Sequence, residues 1–249
     1  MTFEEAVARL RVPGMGTEVV APLLQLLIQL VRPRRVLEVG MGYTTPFIAS
    51  ALAALESQVR AEHSGLVAKQ DRPIDDAWLY EPPALLAPSF YASPYRPEFV
   101  AVDDLSLPTS SAPLVRSVLD SLDLDVTVIN APLQSCRALL PAGFAPIDLA
   151  WVDAWECLYF FENFWDLINP AGGLVVMHYL MTYPEGEAIV DYIADVLHAH
   201  PGELEMVNLV EPHKLTQNSL TVLRRTESRP APLSSRGGQV DYATVFKAL

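Results

Sequence analysis

The chain has 249 residues, of which 51% are hydrophobic and 19% charged, a composition that excludes a disordered protein and points to a large buried core. Thirty acidic residues against seventeen basic ones leave a formal charge of −13, which repels phosphate backbones and argues against nucleic acid as a partner. Two cysteines, Cys136 and Cys157, are too few for a disulfide framework or a structural zinc and read as buried thiols in a reducing cytoplasm. The N-terminal Met-Thr-Phe-Glu-Glu lacks both parts of a signal peptide. Val19 to Val31, the longest apolar stretch, is interrupted by Pro22, Gln25 and Gln29 and is too short to span a bilayer. The expectation is a soluble, cytoplasmic protein with no membrane partner.

Two helices come first, one over residues 3–10 and one after the Pro13-Gly14-Met15-Gly16 turn, with Thr17 as its N-cap, running to Leu30. Residues 34–39 then read as a short buried strand, followed by a glycine turn and a helix over Thr45–Leu55. Further strands are expected at Phe99–Val102, Val126–Ile129, Leu149–Val152 and Leu174–Met177, with helices near 110–121, 133–140, 157–168 and 184–200 between and after them. Short apolar strands alternating with helices indicate an α/β fold with a parallel sheet covered on both faces. The last two strands, Leu204–Val210 and Ser219–Arg224, have no helix between them and predict an antiparallel hairpin at the sheet's edge.

Two segments interrupt this alternation. Residues 56–97 form an insertion rich in proline and aromatic residues (Trp78, Tyr80, Phe90, Tyr91, Tyr95), which predicts an ordered lid within a single 1–249 domain. Residues 226–239 read as a flexible tail that ends in an amphipathic piece, Val240–Leu249, docked on its own domain or on a second subunit. The helical second element and this tail suit a homodimer.

The strongest chemical signal is Val36-Leu37-Glu38-Val39-Gly40-Met41-Gly42-Tyr43-Thr44-Thr45. Glycines after a strand allow a sharp turn and close approach to a ligand, and the next helix offers free N–H groups. A nicotinamide fingerprint wants a third glycine where Thr45 stands and needs no acid where Glu38 stands. Independently, the carboxyl ends of the apolar runs read Glu38, Asp103, Asn130, Asp153 and His178. Each alone is ordinary cap chemistry, but ligands of open α/β sheets bind beyond that edge, so their convergence predicts a small-molecule site there.

Glu38-x-Gly40-x-Gly42 closing a first strand resembles motif I of class I S-adenosylmethionine-dependent methyltransferases, and the resemblance extends over residues 15–225. It implies a Rossmann-like, seven-stranded, mostly parallel sheet with helices on both faces, a C-terminal antiparallel hairpin, N-terminal helices and an inserted lid. It also implies S-adenosyl-L-methionine as cofactor, held by Glu38, Gly40, Met41, Gly42, Tyr43, Thr44 and Thr45, with the glycine turn against its methionine part. The ribose acid falls on Asp103 or Asp104, further along the chain than the usual spacing because of the insertion. Asn130 and Ala131 would lie near the adenine, although an Asn turn residue reads equally simply, and Asp153 would follow the cofactor.

In magnesium-dependent members of that family, an Asp-Asn pair follows Gly-Gly on the fifth strand. Here Gly172-Gly173 leads to His178-Tyr179, which removes two oxygen ligands, so no metal is expected. Histidine suits proton exchange near neutral pH, which makes His178 the leading candidate for a catalytic base; a structural histidine bonding a neighbouring loop is the alternative. Tyr179 and Glu156 are weaker candidates. Glu18 either borders the substrate, as that helix often does in the family, or complements its own helix N-terminus. The acidic surface and aromatic insertion favour a small aromatic acceptor. The stretches Met15–Leu24, Gly42–Phe47 and Glu211–Lys214 are similar to actinobacterial secondary-metabolism methyltransferases, among them indole C3-methyltransferases. A phenol or catechol O-methyltransferase, or a silent cofactor-binding fold, are the alternatives.

Overall fold

The computed structural model describes residues 1–73, 75–108, 110–178 and 180–226. They form two compact units, one of residues 1–51 and 97–226 and the other of residues 52–96.

The first unit is built on a seven-stranded sheet in the order β3-β2-β1-β4-β5-β7-β6. Its strands are β1 (Arg35–Val39), β2 (Glu98–Asp103), β3 (Thr127–Asn130), β4 (Leu149–Val152), β5 (Ala171–His178), β6 (Leu204–Val210) and β7 (Ser219–Thr226). β1 to β5 pair in parallel, whereas β7 lies antiparallel between β5 and β6. The expected hairpin is present, and its second strand is the one inserted next to β5. Around the sheet run α1 (Phe3–Val7), α2 (Thr17–Val31), the start of α3 (Thr44–Ala68), α5 (Ala112–Leu122), α6 (Leu133–Cys136), α7 (Cys157–Phe164) and α8 (Pro184–Ala199). α4 (Asp76–Tyr80) belongs to the second unit.

Side chains alternate across a strand, so each face of the sheet draws on every second residue. Leu37, Val39, Val100, Val102, Ala150, Val152, Val175 and Met177 join Phe160, Phe161 and Phe164 of α7 and Ile189 and Ile193 of α8 in one buried cluster. Phe160 and Phe164, one helical turn apart, stack with centroids 5.0 Å apart. Glu38, Trp151 and Val176 are the opposite set and share one register row across β1, β4 and β5. His178 follows on that same face by the alternation.

In the second unit α3 continues to Ala68 rather than ending at Leu55, because residues 56–64 contain neither Gly nor Pro and carry an i,i+4 ion pair, Glu56–Arg60. Lys69, a residue 3% exposed, then donates from its ammonium to the carbonyls of Trp78 (2.8 Å), Glu81 (2.6 Å) and Pro83 (2.9 Å), and the ammonium lies 4.4 Å from the Trp78 ring centroid. The indole N–H donates back to the Lys69 carbonyl at 2.8 Å. Tyr91 donates to Glu62 at 2.6 Å, and the Phe90 ring packs against Tyr91 and Tyr95. The segment's order comes from these internal bonds.

Other boundaries also differ from the sequence reading. Gly16, with φ +80°, is the N-cap of α2, and Thr17 is its first residue. The 133–140 and 157–168 stretches each shorten to an α-helix followed by a 3-10 turn, at Arg137–Leu139 and Trp165–Leu167. Tyr179 and the 227–249 tail lie outside the described residues. No helix among the described residues is long and apolar enough to cross a membrane.

Candidate functional site

The sheet's strand order reverses between β1 and β4, and in open α/β sheets that switch point opens a crevice at the carboxyl ends of the strands. The registers Val39↔Val102, Val39↔Val152 and Val152↔Met177 bring Gly40, Asp103, Asp153 and His178 to one level beyond the pairing rows, and Asp103↔Asn130 adds β3. Four of the five polar strand ends therefore converge as expected. Glu38 does not: it lies inside β1, fully buried, paired with Ala101 and Trp151, because Val39 and not Glu38 is the last residue of the strand.

The turn after β1 is held by backbone contacts. Gly40 has φ +91°, and a Cβ there would stand 2.6 Å from the Asp153 carbonyl oxygen, so the close crossing of β1 and β4 requires glycine. The Met41 N–H donates to Asp103 Oδ2 at 2.9 Å, and the Met41 carbonyl accepts from Ser111 Oγ at 2.7 Å. The Gly42 N–H donates to Thr45 Oγ1 at 3.0 Å. Tyr43 packs its ring on Phe47, 4.9 Å between centroids. Among the described residues a Cβ on Gly42 would meet nothing within 4 Å, and its φ is not positive, so the described residues give no reason for glycine there.

Behind the turn runs a buried polar chain. The Trp151 indole N–H donates to Thr44 Oγ1 at 3.1 Å, and Thr44 Oγ1 donates to Glu38 Oε1 at 2.8 Å. Among the described residues Glu38 Oε2 is buried without a hydrogen-bond partner. Burial pushes the Glu38 carboxyl up to about 8, although the Thr45 and Thr44 hydroxyls pull the other way, and the charges of Asp153 and Asp103 raise it further.

Asp103 and Asp104 face different ways. Asp103 closes β2 and accepts from Met41 N–H on Oδ2 and from Ser110 Oγ on Oδ1 at 2.6 Å. Asp104 Oδ1 accepts from the N–H and hydroxyl of Ser106, a turn within its own loop. Asn130 Oδ1 accepts from Leu105 N–H at 3.0 Å, and Ala131 N–H donates to the Asp103 carbonyl at 3.2 Å. Asn130 thus ties the loops after β2 and β3 together.

His178, 1% exposed, brings Nδ1 to 2.9 Å from Asp153 Oδ1, with its ring 5.7 Å from that of Trp151. A carboxylate partner fixes the proton on Nδ1 and leaves Nε2 as the acceptor. Nε2 is turned toward the start of α2, 3.1 Å from where a Gly16 Cβ would stand. Glu18, two residues further, has Oε2 buried without a hydrogen-bond partner among the described residues. Glu156, the N-cap of α7, is exposed. Among the described residues no group of three or more His, Cys, Asp or Glu is arranged to hold a metal.

Sequence reasoning missed Ser110, Gly16, Trp155 and Gln217. Ser110-Ser111 ahead of a helix was the only local sign for the first. The others gain meaning only from contacts across long sequence separations.

No family model matches the chain, and no curated protein matches it in sequence. Solved structures do match. The O-methyltransferase TomG from Streptomyces achromogenes, involved in tomaymycin synthesis and solved with S-adenosylmethionine, is 19% identical, with 89% of this chain and 90% of TomG covered and a TM-score of 0.58. An O-methyltransferase from Bacillus cereus in complex with S-adenosylhomocysteine is 18% identical over 90% of each chain, TM-score 0.57. Cofactor-bound Rv0187 from MTB is 15% identical, covering 91% of this chain and 88% of its own, TM-score 0.56. At such identities the likeness concerns architecture, and it agrees with the strand order derived above: the chain has the Rossmann-like fold of these methyltransferases.

Proposed function

We propose that this chain is an S-adenosylmethionine-dependent methyltransferase acting on a small aromatic molecule. The observation that carries the reading is the row at the switch point: a glycine turn, Asp103, Asp153 and His178 at one level of the sheet edge. The cofactor fits the residues there. Gly42 leaves room that no described residue fills, and the buried Glu38 Oε2, without a partner among the described residues, suits a neighbouring cation, which would restore its ionised form. A carboxylate offers about four acceptor positions, so Asp103 keeps capacity for two ribose hydroxyls beyond Met41 and Ser110. Its facing the glycine turn supports Asp103 over Asp104. Gly40 to Thr45 would border the methionine part, and Asn130 and Ala131 the adenine side. Bound there, the cofactor supplies an electrophilic methyl group on a sulfonium sulfur.

The chain's part is alignment and proton removal. His178, oriented by Asp153, accepts a proton on Nε2 as the acceptor's nucleophile forms its bond to the methyl carbon. Glu18 is the second candidate base. With an indole acceptor, C3 bonds to the methyl group and a side-chain amide nitrogen closes onto C2, losing the proton that the base takes up. With a phenol, the same base generates the phenolate. The descriptions of TomG and the Bacillus cereus protein as O-methyltransferases favour the second reading.

The test is a turnover screen by mass spectrometry with trideuteromethyl-labelled S-adenosylmethionine and a matched panel of tryptophan-derived indoles, diketopiperazines, phenols and catechols, with and without chelator. Labelled indole product insensitive to chelator is the outcome for carbon methylation. Labelling confined to phenols or catechols transfers the assignment to O-methylation, and absence of cofactor binding refutes the reading.

A further inference from the structure

Gln217 lies in the loop between β6 and β7, far in sequence from the glycine turn, and the structure gives it three unusual properties together. Its backbone has φ +51°. Its carbonyl oxygen comes so near the start of α2 that a Cβ on Gly16 would be 2.5 Å away, in the place where Gly16 also meets His178 Nε2. Its side-chain Oε1 is buried with no hydrogen-bond partner among the described residues.

The amide is not loose. Nε2 donates to the Tyr183 hydroxyl at 3.4 Å, and the ring of Tyr183 packs on that of Trp155, 5.2 Å between centroids. The loop itself is pinned at the next residue. The Asn218 carbonyl accepts from Glu211 N–H at 2.6 Å, Asn218 Oδ1 accepts from Thr182 Oγ1 at 2.8 Å, and Asn218 Nδ2 donates to the Lys214 carbonyl at 3.1 Å. A rigid amide whose acceptor end is desolvated costs stability in the empty protein unless a ligand supplies a donor. Glu18 Oε2, on the same first turn of α2, is a second such acceptor. Trp155, 67% exposed two residues beyond Asp153, provides a flat surface next to Tyr183.

We propose that Gln217 is a specificity residue: its Oε1 receives an N–H or O–H of the acceptor substrate, which restricts the substrate to planar aromatic molecules that carry such a donor. This rests on the methyltransferase reading and deepens it. Indoles with a free N–H and phenols with a free O–H satisfy the requirement. Their N-alkylated and O-alkylated counterparts leave the buried oxygen unpaired, and a site built around such a group discriminates strongly against the analogue that lacks the donor.

The experiment measures ligand binding to the protein loaded with S-adenosylhomocysteine, by calorimetry or saturation-transfer NMR, using 3-methylindole against 1,3-dimethylindole and p-cresol against 4-methylanisole. At least one donor-bearing member binds ten times or more tightly than its methylated partner in the wild type. Gln217→Met, which keeps the length of the side chain and removes the oxygen, reduces that ratio to within about threefold while the S-adenosylhomocysteine affinity stays as it was. Equal binding within both pairs, no binding of any of the four, or a ratio unchanged in Gln217→Met overturns the inference and leaves the cofactor reading intact. The wild-type comparison stands even if the variant does not fold. Failure of the wild type to bind S-adenosylhomocysteine refutes the methyltransferase reading itself.

Discussion

Glu38 makes the stability of this protein depend on pH in an unusual direction. Its folded carboxyl titrates at about 8 against an ordinary 4.5, so between these values the folded state holds a proton that the unfolded state has released. Stability from this group is therefore full below pH 4.5 and is lost as pH rises through 8. From pH 6 to pH 8.5 the loss is about 2.5 kcal/mol, from about 1.4 kcal/mol for each pKa unit still separating the two states. In a chain of this length that lowers the melting temperature by about 5–10 °C. Glu38→Gln keeps the shape and cannot ionise, so its stability changes much less over the same range. Urea unfolding of both proteins at pH 6, 7 and 8.5 gives the difference directly. Parallel slopes would refute the buried, protonated carboxyl. A cationic ligand beside Oε2 should also expel the proton, and calorimetry of cofactor binding near neutral pH in two buffers of different ionisation heat would then show proton release that Glu38→Gln lacks.

The two motif glycines separate packing from binding. Gly40→Ala drives a Cβ against the Asp153 carbonyl at positive φ and should destabilise the fold by about 3 kcal/mol or more, read from denaturant midpoints. Gly42→Ala meets open space; its melting temperature should match the wild type, and its affinity for S-adenosylhomocysteine should fall about tenfold if the ligand fills that room. His178→Ala should lower kcat on a turned-over acceptor by about 10²–10⁴, with cofactor affinity retained in calorimetry. In the second unit, Lys69→Met strips three carbonyls of their shared ammonium, a local loss of about 3 kcal/mol. Hydrogen exchange across residues 76–86 should accelerate on the order of a hundredfold.

The alternation of short apolar runs with helical stretches determined the α/β class, because a strand buried on both faces can be little else than apolar throughout. It also placed Asp103, Asn130, Asp153 and His178 at strand ends, and the glycine turn after β1, since those are local features of pattern and spacing. The absence of a helix between Leu204–Val210 and Ser219–Arg224 announced the hairpin. Helix ends were less legible. α3 runs on to Ala68 through residues whose helical order is supported by pairs such as Glu56–Arg60, and proline and aromatic content beyond them masked this.

Tertiary structure decided what periodicity does not carry. Strand order and register, set by side-chain packing on both faces, brought Gly40 against Asp153 and His178 onto Asp153, pairs 113 and 25 positions apart. They also left Glu38 inside β1 in a medium that disfavours its charge, and pressed Gln217 against Gly16. A sequence states which residues can turn, bond or ionise. Only the packed chain states which of their atoms are left without a partner, and at this sheet edge those atoms define the candidate chemistry.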